Sequence, residues 1–325
     1  MRAVLCRELG SAGKLAVEEV AAPSLGKSQV RISVHAAGVN FGEMLMVEGK
    51  YQEKPSLPFT PGFEAAGVVT EVSPGVSRVK PGDRVMAALP WGGYAEEAVA
   101  HEFAVFAIPE AMDFATAAGF PVAYGTAYGA FVWRAALKPG ETVLVLGAAG
   151  GVGLGAVEVG SALGAQVIAA AGGADKCALA LAHGAAHAID YRSEDLRERV
   201  KTLTQGRGVD VVFDPVGGDA FAAALRALAW GGRYVVIGFA SGSVPQIPAN
   251  HVLVKNVDIM GFTWGGWSRA KPALLAPAFA RLGAWFAEGR LKPHVSHRLK
   301  LAAAAEAFRL LRERKATGKI VLEIR

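Results

Sequence analysis

One run of fourteen residues, Thr142 to Gly155, restricts the fold more than any other stretch of the chain. Val143 to Leu146 read as a short buried strand, and glycines follow at 147, 150, 151 and 153. A helix is predicted from about Gly151. Glycine removes side chains that would hold a bulky anion away from the backbone. The first helical turn adds unpaired N–H groups and the positive end of the helix dipole. The dinucleotide fingerprint Gly-x-Gly-x-x-Gly likewise follows a strand. Here Ala149 takes the middle glycine position, and Gly147, Gly150 and Gly153 keep a three-residue spacing. Gly150, Gly151, Val152 and Gly153 are the expected diphosphate contacts. An ordinary strand-turn-helix carries the same local pattern, so the flanking sequence decides.

That flank is a helix-length run from Val152 to Leu163, closed by Gly164, and then a second apolar strand, Gln166 to Ala171. Together they form a βαβ unit. An NAD site usually places Asp or Glu about 20 residues past the glycines, where it binds the ribose 2′-hydroxyl. Here Ala170, Ala171, Gly172 and Gly173 stand there, with Lys176 just beyond. No carboxylate repels a 2′-phosphate and a cation is near, which points to NADPH. The plainer reading of Lys176 is a solvated residue at a helix start.

At 325 residues the chain exceeds one ordinary core, and two domains are expected. Two cysteines, Cys6 and Cys177, cannot make a disulfide framework or a zinc cage, which suits a reducing, cytoplasmic setting. The N-terminus has no apolar stretch of signal-peptide length. Phe114 to Trp133 is uncharged, but it contains Pro121, two threonines and two tyrosines; Thr142 to Ala174 is broken by nine glycines. Buried soluble elements explain both runs better than membrane spans do. The net charge of +5 is concentrated from Leu291 onward, where nine Lys or Arg face three Glu, mostly on a helix over 302–314. Without interleaved aromatics this reads as a solvated face rather than a nucleic-acid footprint.

Alternating strands at Gln29 to His35 and Gly67 to Val72, with turn clusters at Ser73 to Gly75 and Lys80 to Asp83, make the first 110 residues β-rich. Phe114 to Leu137 is a helical approach to the glycine run. Beyond the βαβ unit, strands are expected at His187 to Asp190, Val209 to Phe213, Tyr234 to Ile237 and Asp258 to Met260. Helices are expected at Glu194 to Thr204 and Ala220 to Leu228. Such alternation specifies an α/β architecture with a doubly wound parallel sheet, which binds ligands at the carboxyl ends of its strands. Tyr191, Arg192, Asp214 to Gly217 and Gly238 to Ser241 fall there. After about residue 262 no further strand-helix alternation is expected before a last strand, Lys319 to Glu323.

Several spaced motifs resemble one family. They are Ala36 to Phe41, Pro61 to Gly67, Val79 to Val85, Ala148 to Gly153 and the Gly318-Lys319 pair. The chain resembles the zinc-free NADPH:quinone oxidoreductases, the ζ-crystallin-like branch of the medium-chain dehydrogenase/reductases. The resemblance implies a GroES-like catalytic domain (residues 1–122), a Rossmann NADP-binding domain (123–261) and a return to the catalytic domain (262–325). It also implies a cofactor cleft between the domains and a homodimer paired through the sixth strand's edge. It places Asn40, Thr126, Gly172, Gly173, Lys176, Tyr191, Arg192, Phe239, Ser241, Phe262, Trp264 and Lys319 around NADPH. Zinc-bearing relatives carry Gly-His-Glu where this chain has Gly62-Phe63-Glu64, and Cys where it has Val39 or Asn40. A catalytic zinc needs three protein ligands, so no metal is expected.

Without a Lewis acid the acceptor must itself be electrophilic. Quinones and enones qualify, and the protein supplies proximity and donors to the developing oxyanion. Asn40 is a candidate amide donor to the acceptor or the cofactor ribose, against a turn-stabilising role. Tyr51, in a loop after Gly49-Lys50, is a candidate donor or an apolar lid. Glu64 is expected to support the backbone rather than act as a base. The run Gly261 to Trp267 is rich in aromatics and glycine; Trp264 either walls the acceptor site or packs in a dimer interface. The competing readings are an enoyl-thioester (acryloyl-CoA-like) reductase, served by the basic tail, and a non-enzymatic NADPH-binding structural or RNA-binding protein.

Overall fold

Period-two alternation in the first hundred residues produces strands, and the glycine-rich middle produces helices between strands. The computed structural model describes every residue, Met1–Arg325, and divides into two units. The first holds Met1–Val122, Ser268–Ala287 and Pro293–Arg325; the second holds Ala123–Trp267 and Glu288–Lys292.

In the first unit β1 (Arg2–Leu5) pairs antiparallel with β2 (Ala16–Glu19). The main sheet is built on β3 (Gln29–Val39), whose Val30, Ile32 and Val34 face the core, as alternation requires. Its antiparallel neighbours are β4 (Glu64–Val72) and, through β4, β5 (Arg84–Ala88). β6 (Glu97–His101) pairs with β3, and β7 (Val105–Ala107) closes the edge beside β5. A short helix, α1 (Phe41–Val47), leaves the end of β3, and α2 (Phe114–Ala118) follows the sheet.

The second unit begins with α3 (Phe120–Tyr128), most of which it contains, followed by a π-helical segment, Gly129–Arg134. Six strands follow: β8 (Thr142–Leu146), β9 (Gln166–Ala171), β10 (His187–Asp190), β11 (Val209–Asp214), β12 (Leu228–Val236) and β13 (Asp258–Gly261). They lie in the order β10-β9-β8-β11-β12-β13, every neighbouring pair parallel. This is the doubly wound 3-2-1-4-5-6 order. Val143, Leu144 and Val145 are wholly buried, as expected of a strand with helices over both faces. The crossovers carry α4 (Gly151–Ala162), α5 (Ala174–Ala182), α6 (Leu196–Leu203), α7 (Asp219–Ala227) and α8 (Ala249–Lys255).

The chain passes back to the first unit through α9 (Trp264–Ala270) and α10 (Leu275–Ala287). Phe279 of α10 stacks on Phe106 of β7 at 3.7 Å between ring centroids. Here the structure departs from the sequence reading. Residues 262–267 lie with the second unit, and strand-helix alternation does continue past 262. β14 (Val295–Lys300), α11 (Ala304–Arg312) and β15 (Lys319–Glu323) form one more parallel βαβ, with β15 antiparallel to β3. β14 is an edge strand whose residues are only partly buried, so its sequence lacks an apolar alternation. No helix is long and apolar enough to cross a membrane.

Candidate active site

The second unit brings several of the residues singled out in the sequence to the carboxyl ends of its strands. Gly150 caps α4 in extended conformation, and the first intrahelical bond runs from Leu154 N–H to the Gly150 carbonyl. The N–H groups of Gly151, Val152 and Gly153 therefore precede the helical ladder and have no acceptor within it. Any side chain at Gly153 would run into the Gly147 carbonyl, so the tight turn depends on glycine there.

At the end of β9, Gly172 faces Tyr191 and Arg192. A β-carbon on Gly172 would stand 2.8 Å from the Tyr191 hydroxyl and 3.1 Å from Arg192 Nε. Asp190 Oδ1 accepts from Gly173 N–H at 2.8 Å and Arg192 N–H at 3.0 Å. These backbone donors hold its carboxyl below the usual range. Asp190 thus fixes the corner, while Lys176 lies in the first turn of α5 and Arg192 stays exposed. The strand end carries two cations and no carboxylate of its own.

Further along the same edge, Asp214 ends β11 buried, accepting from Val216 N–H (2.7 Å), Gly217 N–H (2.8 Å) and the Tyr234 hydroxyl (2.7 Å). Burial still pushes its pKa upward. Phe239 and Ser241 fold over Gly217 and Gly218, whose added β-carbons would lie 2.9 Å from the Phe239 ring and 2.7 Å from Ser241 Oγ. Thr126 is buried in α3. Phe262 follows β13, its N–H bonded to the Val236 carbonyl at 3.0 Å, and Trp264 opens α9 with 9% of its surface exposed.

The first unit gathers a second set. Asn40 caps α1, and Glu43, three residues on, reaches back to the Asn40 backbone N–H at 2.8 Å. That is the reciprocal half of a capping box. The Asn40 side-chain amide donates to Glu43 Oε1 (3.1 Å) and Glu64 Oε1 (2.9 Å), and its oxygen accepts from Lys319 Nζ at 2.6 Å. Lys319 also donates to the Val39 carbonyl (2.9 Å) and Glu64 (2.7 Å). Glu64 accepts the Val122 N–H at 2.7 Å, so it supports backbone, as its sequence context suggested, and balances a buried lysine besides. With all its polar groups engaged, Asn40 has no amide hydrogen to spare for a ligand.

Sequence reasoning missed Glu43 and Tyr94. Glu43 is wholly buried and accepts from Phe63 N–H at 2.5 Å and from the Tyr94 hydroxyl. Burial raises its carboxyl to about 7 despite these donors. The available signal was the Asn40-x-x-Glu43 spacing itself. Tyr51 is half-buried, its ring 5.4 Å from that of Phe63, and burial raises its hydroxyl pKa. Glu53, in the same loop, pairs with Arg269 at 2.5 Å.

Nowhere do three or more His, Cys, Asp or Glu side chains group to hold a metal ion. At the position of the zinc ligands in zinc-bearing relatives, Glu64 is committed to Lys319, Asn40 and Val122. The residues present do not fit a catalytic zinc.

A β-rich unit interrupted by a six-stranded doubly wound sheet with a glycine turn defines a medium-chain dehydrogenase/reductase. Residues 26–110 match the alcohol dehydrogenase GroES-like domain family, and residues 151–278 match the family described as zinc-binding dehydrogenase. The chain is 43% identical to a quinone oxidoreductase-like protein 2 homolog of Nematostella vectensis, over 99% of this chain and 88% of that protein. It is 35% identical to the quinone oxidoreductase of Homo sapiens, covering 99% and 97%. The Escherichia coli quinone oxidoreductase complexed with NADPH superimposes with a TM-score of 0.92 at 32% identity, over 99% of this chain and 100% of that one. The chain belongs to the quinone oxidoreductase family and is an oxidoreductase.

Proposed function

We propose that this protein binds NADPH and passes hydride to quinones or other activated alkenes, without a metal. The observation that carries the reading is the end of β9, where Arg192 lies against Gly172 and Gly173, Lys176 follows in the first turn of α5, and no carboxylate ends the strand. That charge pattern suits a 2′-phosphate, since a guanidinium meets phosphate with paired donors. The Gly151, Val152 and Gly153 N–H groups suit the diphosphate, and Thr126, Tyr191, Phe239, Ser241, Phe262 and Trp264 complete the dinucleotide edge. The complex of the E. coli relative with NADPH supports this assignment.

When bound, the cofactor supplies a hydride from C4 of its nicotinamide. The chain's own contribution is orientation and exclusion of water. Asn40 and Lys319 serve by fixing the corner between β3 and α1, because their polar groups are spent on each other and on Glu64. Tyr51, whose hydroxyl burial holds above its ordinary value, is the proposed donor to a developing oxyanion.

The test compares an ortho-quinone, an enone and crotonyl-CoA as acceptors for NADPH oxidation, with and without a chelator. Turnover of the quinone or enone that survives chelation is expected; tight coenzyme binding with no turnover of any acceptor would favour a non-enzymatic role. The thioester reading loses part of its footing, because several of the tail's cations sit beside carboxylates. Arg298 pairs with Asp113, Arg309 with Glu306 and Glu313, Arg312 with Glu48, and Lys315 with Glu313.

We also propose a homodimer across the exposed edge of β13. Beside it in sequence, α8 and the preceding loop expose Leu253 (77%), Val254 (74%), Val244 (64%) and Ile247 (52%), a concentration of apolar surface that marks an association face. Sedimentation of the wild type and Val254→Lys should give a dimer and a monomer.

A further inference from the structure

Glycine is a poor helix residue, yet Gly125 and Gly129 stand one turn apart, at the end of α3 and the start of the π-helical segment. The surroundings explain both. A β-carbon on Gly125 would lie 2.6, 2.8 and 2.9 Å from three ring carbons of Trp264. One on Gly129 would overlap Phe262 and lie 2.8 Å from the Trp133 ring. The helix surface is therefore notched, and the notch is filled by the two aromatic residues that follow β13.

The neighbours lock this arrangement. Trp133 stacks on Trp264, centroids 6.3 Å apart and planes 13° from parallel, and on Trp267 at 6.0 Å and 20°. Tyr128 meets Trp133 edge-on at 5.9 Å, and Arg134 Nε donates to the Gly261 carbonyl at 3.1 Å. The π-helical turn carries Trp133 into this stack; such turns concentrate at functional sites. The place matters too. Phe262 and Trp264 lie just past the carboxyl end of a parallel strand, the rim where doubly wound sheets bind ligands, and Gly125 is next in sequence to buried Thr126.

We propose that Gly125 and Gly129 are positioning residues that seat Trp264 as the wall limiting acceptor size. The proposal rests on the reductase reading above. It concerns which acceptors are accepted, not whether hydride is transferred. The indole is a flat, rigid surface whose location is set by the depth of the notch. A methyl group at position 125 would stand 2.6 Å from the indole, closer than the ring can tolerate, so the ring must move.

The experiment measures kcat/KM for a small and a bulky quinone in wild type, Gly125→Ala, Trp264→Leu and the double variant. The near-ultraviolet circular dichroism of the coupled tryptophans reports ring position without reference to activity. At saturating NADPH, Trp264→Leu should shift the bulky-to-small ratio at least tenfold toward the bulky acceptor. Gly125→Ala should change both the dichroism and the ratio, and its effect on the ratio should vanish in the Trp264→Leu background, because it acts through the indole. Trp264→Leu also covers the case in which Gly125→Ala fails to fold. A changed dichroism with an unchanged ratio would overturn the proposal and leave the reductase reading intact, as would a change of oligomeric state alone. Absence of turnover by the wild type would remove the reductase reading and the acceptor wall together, and the dichroism would then report only on packing.

Discussion

In the first unit Glu43, Glu64 and Lys319 are almost wholly out of water; Glu64 and Lys319 pair with each other, and Glu43 is satisfied by Asn40, the Phe63 N–H and the Tyr94 hydroxyl. In the second unit the cations near the carboxyl end of β9, Lys176 and Arg192, keep contact with solvent, and its buried Asp214 is spent on two N–H groups and a hydroxyl. The difference separates two uses of charge. A buried charge must be paired where it lies, so it holds a corner in one geometry and has little left for a ligand. A charge at a rim, still solvated, meets an incoming phosphate with less desolvation than a buried one would. The first unit's polar cluster is therefore read as a scaffold, and the second unit's rim as recognition.

The sharpest way to break this comparison is to remove one buried partner. Glu64→Ala strands the Lys319 ammonium among buried groups and should cost about 3–5 kcal/mol of unfolding free energy. Urea unfolding followed by a probe in the first unit measures it. Little change in the midpoint would mean that the lysine is not confined as described.

Glu43 gives the next effect, and its sign is fixed. Its folded carboxyl is raised from 4.5 to about 7, so between those values the folded chain holds a proton that the unfolded chain has lost. Stability from this group is full below pH 4.5 and is lost as pH rises through about 7, by about 3 kcal/mol. The difference in stability between wild type and Glu43→Gln should vary with pH over that window and be flat above it. A flat difference throughout would show that Glu43 titrates normally.

At the rim the effects should be smaller and confined to the coenzyme. Lys176→Glu or Arg192→Ala should raise the KM for NADPH about tenfold, corresponding to roughly 1.4 kcal/mol, and leave that for NADH nearly unchanged. Thermal unfolding should hardly move. Equal losses with both coenzymes would remove the argument for a 2′-phosphate. Smallest of all, Arg309→Ala, on the exposed face of α11, should leave the unfolding midpoint within a degree or two, since exposed ion pairs contribute little.

The same division explains what could be read from the residues. β8, α4 and β9 were legible because parallel strands buried on both faces are continuous apolar runs, and because glycine has few other reasons to recur after a strand. Gly172, Tyr191 and Arg192 were predictable as rim residues from strand ends alone, and the structure brings them together. β14 was illegible because its partly exposed edge residues, Ser296, His297, Arg298 and Lys300, carry no alternation. The pairing of Glu64 with Lys319 joins residues 255 positions apart, and no local pattern encodes it. Glu43 was within reach through its spacing from Asn40, but the Tyr94 hydroxyl that completes it arrives from a distant segment. Gly125 and Gly129 look like helix flaws until the rings that fill them are placed.

The most direct test of the central claim is the ratio of kcat/KM for NADPH to that for NADH, measured with a simple ortho-quinone before and after exhaustive chelation. A preference for NADPH of at least about tenfold, unaltered by the chelator, is expected. A preference for NADH, or activity lost on chelation and restored by zinc, would contradict it.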